Sequence, residues 1–316
     1  MTVLVTGAAG FIGSTLVDRL LADGHRVRGL DRSGGGGHLA PAARSGRFEL
    51  VTEDLRGTDL RALLDGVDAV FHLAARPGVR HSWTEFDAYV HDNVLATHRL
   101  LEACRQDGRR RRVVYASSSS VYGDAARYPC QEDDPARPRS PYGVTKLAAE
   151  DLVRAYAESW GLPTVALRLF TVYGPRQRPD MAFHRLCRAA LGGPPFPRYG
   201  DGRARRDFTY VDDVVEAVCR AAWREPAPGS VINIAGGGDH SLAEVLELAG
   251  ELTGHAVPVD PRPEQPGDVR RTGGDVARAS RLLGWAPSVD LRAGLERQLA
   301  WHRADMAAAA VPEHDG

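Results

Sequence analysis

Two rhythms of apolar and polar positions alternate along the first half of the chain. Short aliphatic and β-branched runs recur at residues 2–6, 26–30, 48–51, 69–73, 113–116 and 165–170, each with the length of a buried strand. Between them apolar residues return every three or four positions. Leu16, Val17, Leu20 and Leu21 follow the first run, a segment holding Asn93, Leu95, Leu100 and Leu101 precedes the fifth, and residues 142–160 precede the sixth. Strand and helix patterns in alternation predict an α/β fold with a parallel, doubly wound sheet.

Composition fits such a core. The chain has 316 residues, 43% of them hydrophobic, and a formal net charge of -1. That length suggests two lobes, and that balance implies no polybasic surface, so no nucleic-acid partner is expected. The run Arg109 to Arg112 stands directly before a strand and reads as a solvated turn. Ser33 and the four glycines after it have no strand leading in and no helix leading out, and read as a flexible loop. Cys104, Cys130, Cys187 and Cys219 form no CxxC or metal-ligand pattern, and the chain opens on a strand instead of a signal peptide. Free thiols, a reducing cytoplasm and no metal are expected. No stretch approaches the ~20 apolar residues of a membrane span, so no membrane partner is expected either.

Candidate chemistry sits where the elements join. The first strand run leads into Gly7, Ala8, Ala9, Gly10, Phe11, Ile12 and Gly13, and then into the first helical pattern. A strand, a glycine turn and a helix in that order make a dinucleotide fingerprint, here Gly-x-x-Gly-x-x-Gly. Small residues let backbone N–H groups approach a pyrophosphate at the positive helix end. The second run ends in Asp31, about where an acid should bind the adenosine ribose of NAD and repel the 2′-phosphate of NADP. Arg32 next to it is the residue type that usually partners that phosphate. NAD is the expected cofactor. Asp54 with Leu55, and Leu73 with Ala74 and Ala75, follow later strands, where open α/β sheets bind ligands.

Further on, Ser118, Ser119 and Ser120 precede Val121-Tyr122-Gly123, and Tyr142 and Lys146 stand four apart on the longest helical pattern. Residues at that spacing share a helix face, so the Lys146 ammonium can sit near the Tyr142 phenol. A phenol of reference pKa ~10 is a poor base at neutral pH, but a nearby cation and a positive nicotinamide ring favour its phenolate. Tyr142 is the expected general base for an alcohol proton, with Ser118 hydrogen-bonded to the same oxygen.

These motifs resemble the extended short-chain dehydrogenases/reductases, and among them the nucleotide-sugar epimerases, from Thr2 to about Arg303. The resemblance implies a Rossmann-type domain (1–172 and 206–233), a smaller C-terminal α/β lobe that binds a UDP-sugar (173–205 and 234–305) and a disordered tail (306–316). It places Gly7, Gly10, Phe11, Ile12 and Gly13 at the pyrophosphate of NAD, Asp31 and Arg32 at its ribose, and Asp54 and Leu55 at its adenine. Leu73, Ala74, Ala75 and Leu169 would line the cofactor, Asn93 would support it, and Tyr142 and Lys146 would touch it as well as form the catalytic pair with Ser118. Homodimers are common in such folds and one is expected here, through the helices of Leu95 and Tyr142.

Subtype can be read from what is missing. Dehydratases of this group resemble Thr-Asp-Glu where Ser118-Ser119-Ser120 stand here, and decarboxylases of UDP-glucuronate keep a Glu at the position of Ser120. Typical galactose-type epimerases have Asn where this chain has Thr171. Phe170 to Pro175, Arg178 to Met181 and Gly78-Val79-Arg80 are similar to UDP-glucuronate 4-epimerases. Oxidation of glucuronate at C4 gives a β-keto acid that loses CO₂ when its carboxylate aligns with the ketone. Small hydroxyls at Ser119 and Thr171 can hold the carboxylate without protonating an enolate. The resemblance also assigns the nucleotide to the loop of Pro195 and Tyr199 and to Arg206, with Arg178 and Met181 at the substrate. Gln265 breaks the usual second diphosphate arginine. Arg262, Arg270 or Arg271 must substitute, and Arg270 is counted among the contacts. The expected reaction is C4 epimerisation of UDP-glucuronate to UDP-galacturonate, with UDP-glucose/UDP-galactose or another nucleotide sugar as the alternative. A net oxidoreductase is a further alternative.

Overall fold

A strand apolar on both faces must be covered on both, and the central strands of this chain's main sheet are. The computed structural model describes residues 1–34, 36–224, 226–265 and 267–310. In chain order the strands are β1 (Thr2–Thr6), β2 (Arg26–Asp31), β3 (Phe48–Thr52), β4 (Ala69–His72), β5 (Arg112–Ser118) and β6 (Thr164–Leu169). There follow β7 (Thr171–Tyr173), β8 (Phe196–Tyr199), β9 (Arg205–Tyr210), β10 (Ser230–Ile234), β11 (Asp239–Ser241) and β12 (Val259–Arg262). A seven-stranded sheet runs β3-β2-β1-β4-β5-β6-β10 with all its pairs parallel. Every residue of β4 and β6 is buried. Helices Phe11–Ala22 and Val211–Trp223 cover one face through Leu16, Leu20, Val214 and Val218. Helices Ala96–Gln106 and Pro141–Trp160 cover the other through Leu100, Cys104, Ala149 and Val153.

The order reverses between β1 and β4. Chain leaving β1 winds toward β2 and chain leaving β4 winds toward β5, which opens a crevice beyond the carboxyl ends of the strands. Helix Pro141–Trp160 presents its first turns there. Ser140 caps it, its hydroxyl accepting from the Gly143 N–H at 3.1 Å; Pro141 starts it, and Gly161 ends it in the left-handed region at φ 64°.

Two small sheets, β11-β9-β7 and β12-β8, form the second lobe with helices Ala182–Ala190, Leu242–Thr253 and Leu291–Ala310. The boundary expected at 172 falls inside β7, and β9, expected in the first lobe, pairs in the small sheet. Residues 306–310, expected to begin a tail, continue the last helix, and 311–316 lie outside the described residues. Other local readings shift too. Gly36–Leu39 is a tight helical turn instead of a loop, while Gly35 lies outside the described residues. Of the arginine run only Arg109 and Arg110 are exposed; Arg111 is buried against Asp107, and Arg112 opens β5. All four cysteines are free and buried. Among the described residues no helix is long and apolar enough to cross a membrane, and no group of three or more acidic, His or Cys side chains could hold a metal.

Asp207, on β9, ties the lobes together. Its buried carboxylate accepts from the Gly236 N–H at 2.5 Å and the Gly274 N–H at 3.4 Å. Burial pushes its pKa up from 3.8 to about 7. Between those values the folded chain holds a proton that the unfolded chain has released, so this contribution to stability is full below the lower value and is lost as pH rises through the upper one. The Tm of the natural chain relative to Asp207→Asn should therefore decline from about pH 4 to about pH 7, as followed by thermal melts; a pH-independent difference would refute the assignment.

Candidate active site

The turn after β1 is built by backbone approach. Gly7 has φ 72°, and a Cβ on it would lie 2.8 Å from the Ala74 N. A Cβ on Gly13 would run into the Gly7 carbonyl. Gly10 is the residue before helix Phe11–Ala22 and offers no side-chain cap, so the first-turn N–H groups keep their capacity for an anion. Gly7, Gly10, Phe11, Ile12 and Gly13 all line one cleft of about 1330 Å³. The bare backbone of this turn fits a pyrophosphate that any side chain would displace.

Asp31 lies at the same end of the cleft. One carboxylate oxygen accepts from the Ala9 N–H at 3.0 Å, the other from the Ser33 N–H and hydroxyl, each at 3.0 Å, which fixes the carboxylate against the turn. Arg32, Asp54, Leu55, Leu73, Ala74, Ala75 and Leu169 line the cleft as expected. Asn93 does not. It is buried behind the wall, where it accepts from the Arg76 N–H at 2.7 Å and donates to the Arg76 carbonyl at 3.1 Å and to Thr145 at 3.0 Å.

Ser118, Tyr142 and Lys146 meet in the middle of the cleft, delivered by the end of β5 and the first turns of helix Pro141–Trp160. Burial pushes the Tyr142 phenol up, while a hydrogen bond with Ser118 and the charge of Arg178 pull it down. The expected cation was Lys146. Its amine instead donates to the Ala116 carbonyl at 2.5 Å and lies 4.4 Å from the centre of the Tyr115 ring, and burial lowers its pKa to about 7. Tyr142 and Lys146 thus share the first turns of one helix, while the charge that offsets part of the burial of the phenol is that of Arg178.

The far end is polar. Ser119 and Thr171 line the cleft, and among the described residues neither hydroxyl has a hydrogen-bond partner. Gly78, Val79, Arg80, Arg178, Met181, Tyr199, Arg206 and Arg270 line it as well. The Arg80 guanidinium lies 3.7 Å from the centre of the Tyr199 ring and 3.6 Å from Asp268, joining the loop after β4 to the small lobe. Arg206 is half-buried, and among the described residues it has no carboxylate in ion-pair range. Burial lowers its pKa, a cost that a bound anion would relieve. Of Arg262, Arg270 and Arg271, only Arg270 reaches the cleft: Arg262 pairs with Asp260 and Arg271 with Asp239. Pro195 is exposed outside it, and Phe196 and Pro197 stand there in its place. The sequence reading also missed Arg56 and Asp92, which line the cleft beside Arg32.

Solved structures share this architecture. MoeE5, in complex with UDP-glucuronic acid and NAD, is 48% identical with a TM-score of 0.91, over 96% of this chain and 100% of that one. The UDP-glucuronic acid 4-epimerase of Bacillus cereus, in complex with UDP-glucuronic acid and NAD, is 40% identical with a TM-score of 0.91, over 96% and 99%. The UDP-glucose 4-epimerase of Mycolicibacterium smegmatis is 41% identical over 313 residues, 96% of this chain and 99% of the relative. With residues 3–235 matching its model, and with these relatives alike over almost the whole chain, this chain belongs to the NAD dependent epimerase/dehydratase family.

Proposed function

We propose that this enzyme inverts C4 of a UDP-sugar, with UDP-glucuronate and UDP-galacturonate as the pair it interconverts. The observation that carries the reading is one continuous cleft with a bare glycine turn at one end, the Ser118–Tyr142 pair in the middle and the anion-lacking Arg206 at the other. NAD held on Gly7, Gly10 and Gly13, with its ribose at Asp31, supplies a hydride acceptor and donor for C4, so the sugar passes through a 4-keto form with no net redox change. Tyr142 takes the proton of the C4 hydroxyl and later returns it. Ser118 fixes that hydroxyl, and Arg178 stabilises the phenolate. Arg206 and Arg270 hold the diphosphate as bidentate forks, about which the sugar turns over.

Ser119 and Thr171 hold the carboxylate of the sugar through hydroxyls that have no other partner among the described residues. Two relatives above were solved with UDP-glucuronic acid bound. UDP-glucose is the second reading, favoured by the Mycolicibacterium relative and by a further MoeE5 structure that contains UDP-glucose and NAD. The enzyme works as a homodimer in the cytoplasm: Leu95 and Val144, each 46% exposed on helical segments that pack together, offer an apolar face to a second copy. NMR of products from a panel of UDP-sugars tests the assignment. UDP-galacturonate should form fastest from UDP-glucuronate, and net accumulation of NADH would instead indicate an oxidoreductase.

Two substitutions separate the parts. Tyr142→Phe should retain the fold and the bound dinucleotide while losing ~10²–10⁴-fold in turnover, and near-normal turnover would remove Tyr142 from the mechanism. A hydrogen bond to a charged group is worth ~1.5–3 kcal/mol, so Thr171→Ala should lower kcat/KM for UDP-glucuronate by roughly ten- to hundred-fold. UDP-glucose should be affected far less, and a decarboxylated pentose should appear as the loosened carboxylate swings into line with the C4 ketone. Equal losses on both substrates would assign Thr171 to the fold or the diphosphate.

A further inference from the structure

Sequence alone leaves the ribose end of the cleft ambiguous, because Asp31 favours NAD and Arg32 is suited to the 2′-phosphate of NADP. The structure adds a third residue. Asp92, with a side chain only 4% exposed, projects from the π-helical segment Val90–Leu95 into the wall of the cleft. Its carboxylate accepts from Arg32 at 2.9 Å and from Arg76 at 3.0 Å, and Arg56 lies 3.6 Å away.

The three arginines do not depend on it equally. Arg56 also grips Asp54 at 2.7 Å, holding that carboxyl down at about 2, and Arg76 also pairs with Glu85 at 2.9 Å. Among the described residues Arg32 has Asp92 alone. Asp54, Glu85 and Asp92 thus oppose Arg32, Arg56 and Arg76 one for one, and Asp31 adds a further negative charge. A 2′-phosphate brought to this end would find no unmatched cation. Arg32, the cation beside Asp31, would first have to give up its hydrogen bond to a buried carboxylate.

Resting on the reading of this cleft as a dinucleotide site, we propose that Asp92 is a specificity-determining residue: it sequesters Arg32 and so enforces NAD over NADP. The discrimination is divided between two acids. Asp31 repels the phosphate, and Asp92 removes the cation that would otherwise welcome it. Asp92 reaches the cleft from the π-helical turn while the adjacent Asn93 grips the backbone of Arg76 behind the wall.

The test reads bound nucleotide instead of turnover. The purified chain and its Asp92→Asn, Arg32→Ala and double variants are each incubated with NADP in large excess, gel-filtered and denatured, and the released NAD and NADP are separated by chromatography. Asp92→Asn should raise the retained NADP:NAD ratio about tenfold, as a phosphate takes over the freed guanidinium, and adding Arg32→Ala should abolish the gain. Arg32→Ala alone should leave the ratio unchanged. An unchanged ratio in folded Asp92→Asn, or a gain that survives loss of Arg32, overturns the proposal. So does a fall in the ratio with Arg32→Ala alone, which stands as a test even where Asp92→Asn does not fold. Retention of neither dinucleotide by the natural chain overturns the dinucleotide reading, and this inference with it.

Discussion

A buried ion pair beneath the cleft holds the reacting groups in register. Glu150, fully buried on helix Pro141–Trp160, meets Arg168 of β6 at 2.6 Å and accepts from Ser117 of β5 at 2.6 Å. Arg168 also donates to the Glu132 carbonyl at 3.1 Å and lies 4.7 Å from the centre of the Tyr122 ring. Two charges taken out of water are tolerated only when their remaining hydrogen-bonding capacity is met, and removing one partner of such a pair costs ~3–5 kcal/mol. The pair therefore fixes the helix that carries Tyr142 and Lys146 against the strand that carries Ser118. Those residues come from segments far apart in sequence, and the network is what holds their separation.

The same layer explains the electrostatics of Lys146. An amine buried between the Ala116 carbonyl and the face of Tyr115 loses hydration that these two groups only partly replace. Glu150, one turn further along the helix, supports the charged form, yet burial dominates. Tyr142 is left to draw its cationic support from Arg178, which belongs to the segment between β7 and helix Ala182–Ala190. In the proposed mechanism, activation of the base thus depends on the closeness of the two lobes, which Asp207 and the Arg80–Tyr199 contact help maintain.

Much of this was legible in the sequence, for identifiable reasons. The central strands β1, β4, β5 and β6 are buried on both faces and have little polar alternation to blur them, and the glycine turn is recognisable because its backbone approach excludes every side chain. What escaped depended on local departures from regular geometry. Helical spacing separates Asp92 from Asn93 but does not say which of the two meets the cleft, and the π-helical turn that carries them left no mark in the residue pattern. Pro195 and Phe196 differ by one residue, and β8 begins only at Phe196, which is buried while Pro195 stays exposed. Tyr-x-x-x-Lys spacing identified a shared helix face but carried no information on the carbonyl that captures the amine.

The sugar-binding end illustrates how an absence can direct a reaction. A C4 ketone next to a C5 carboxylate loses CO₂ when that bond aligns with the π system and when an acid stands ready for the resulting enolate. At Ser118, Ser119 and Ser120 this chain presents hydroxyls, and Thr171 lines the same cleft from the start of β7, just beyond the strand paired with β5. A hydroxyl can donate to a carboxylate and fix its rotation, but its own acidity is too low to protonate carbon at neutral pH. On the proposed function, the arrangement restrains the leaving group and withholds the proton together. On that same proposal, a carboxyl at Ser120 would supply only the proton, and the carboxylate grip assigned to Ser119 and Thr171 is the part that would keep the keto sugar intact long enough to turn over.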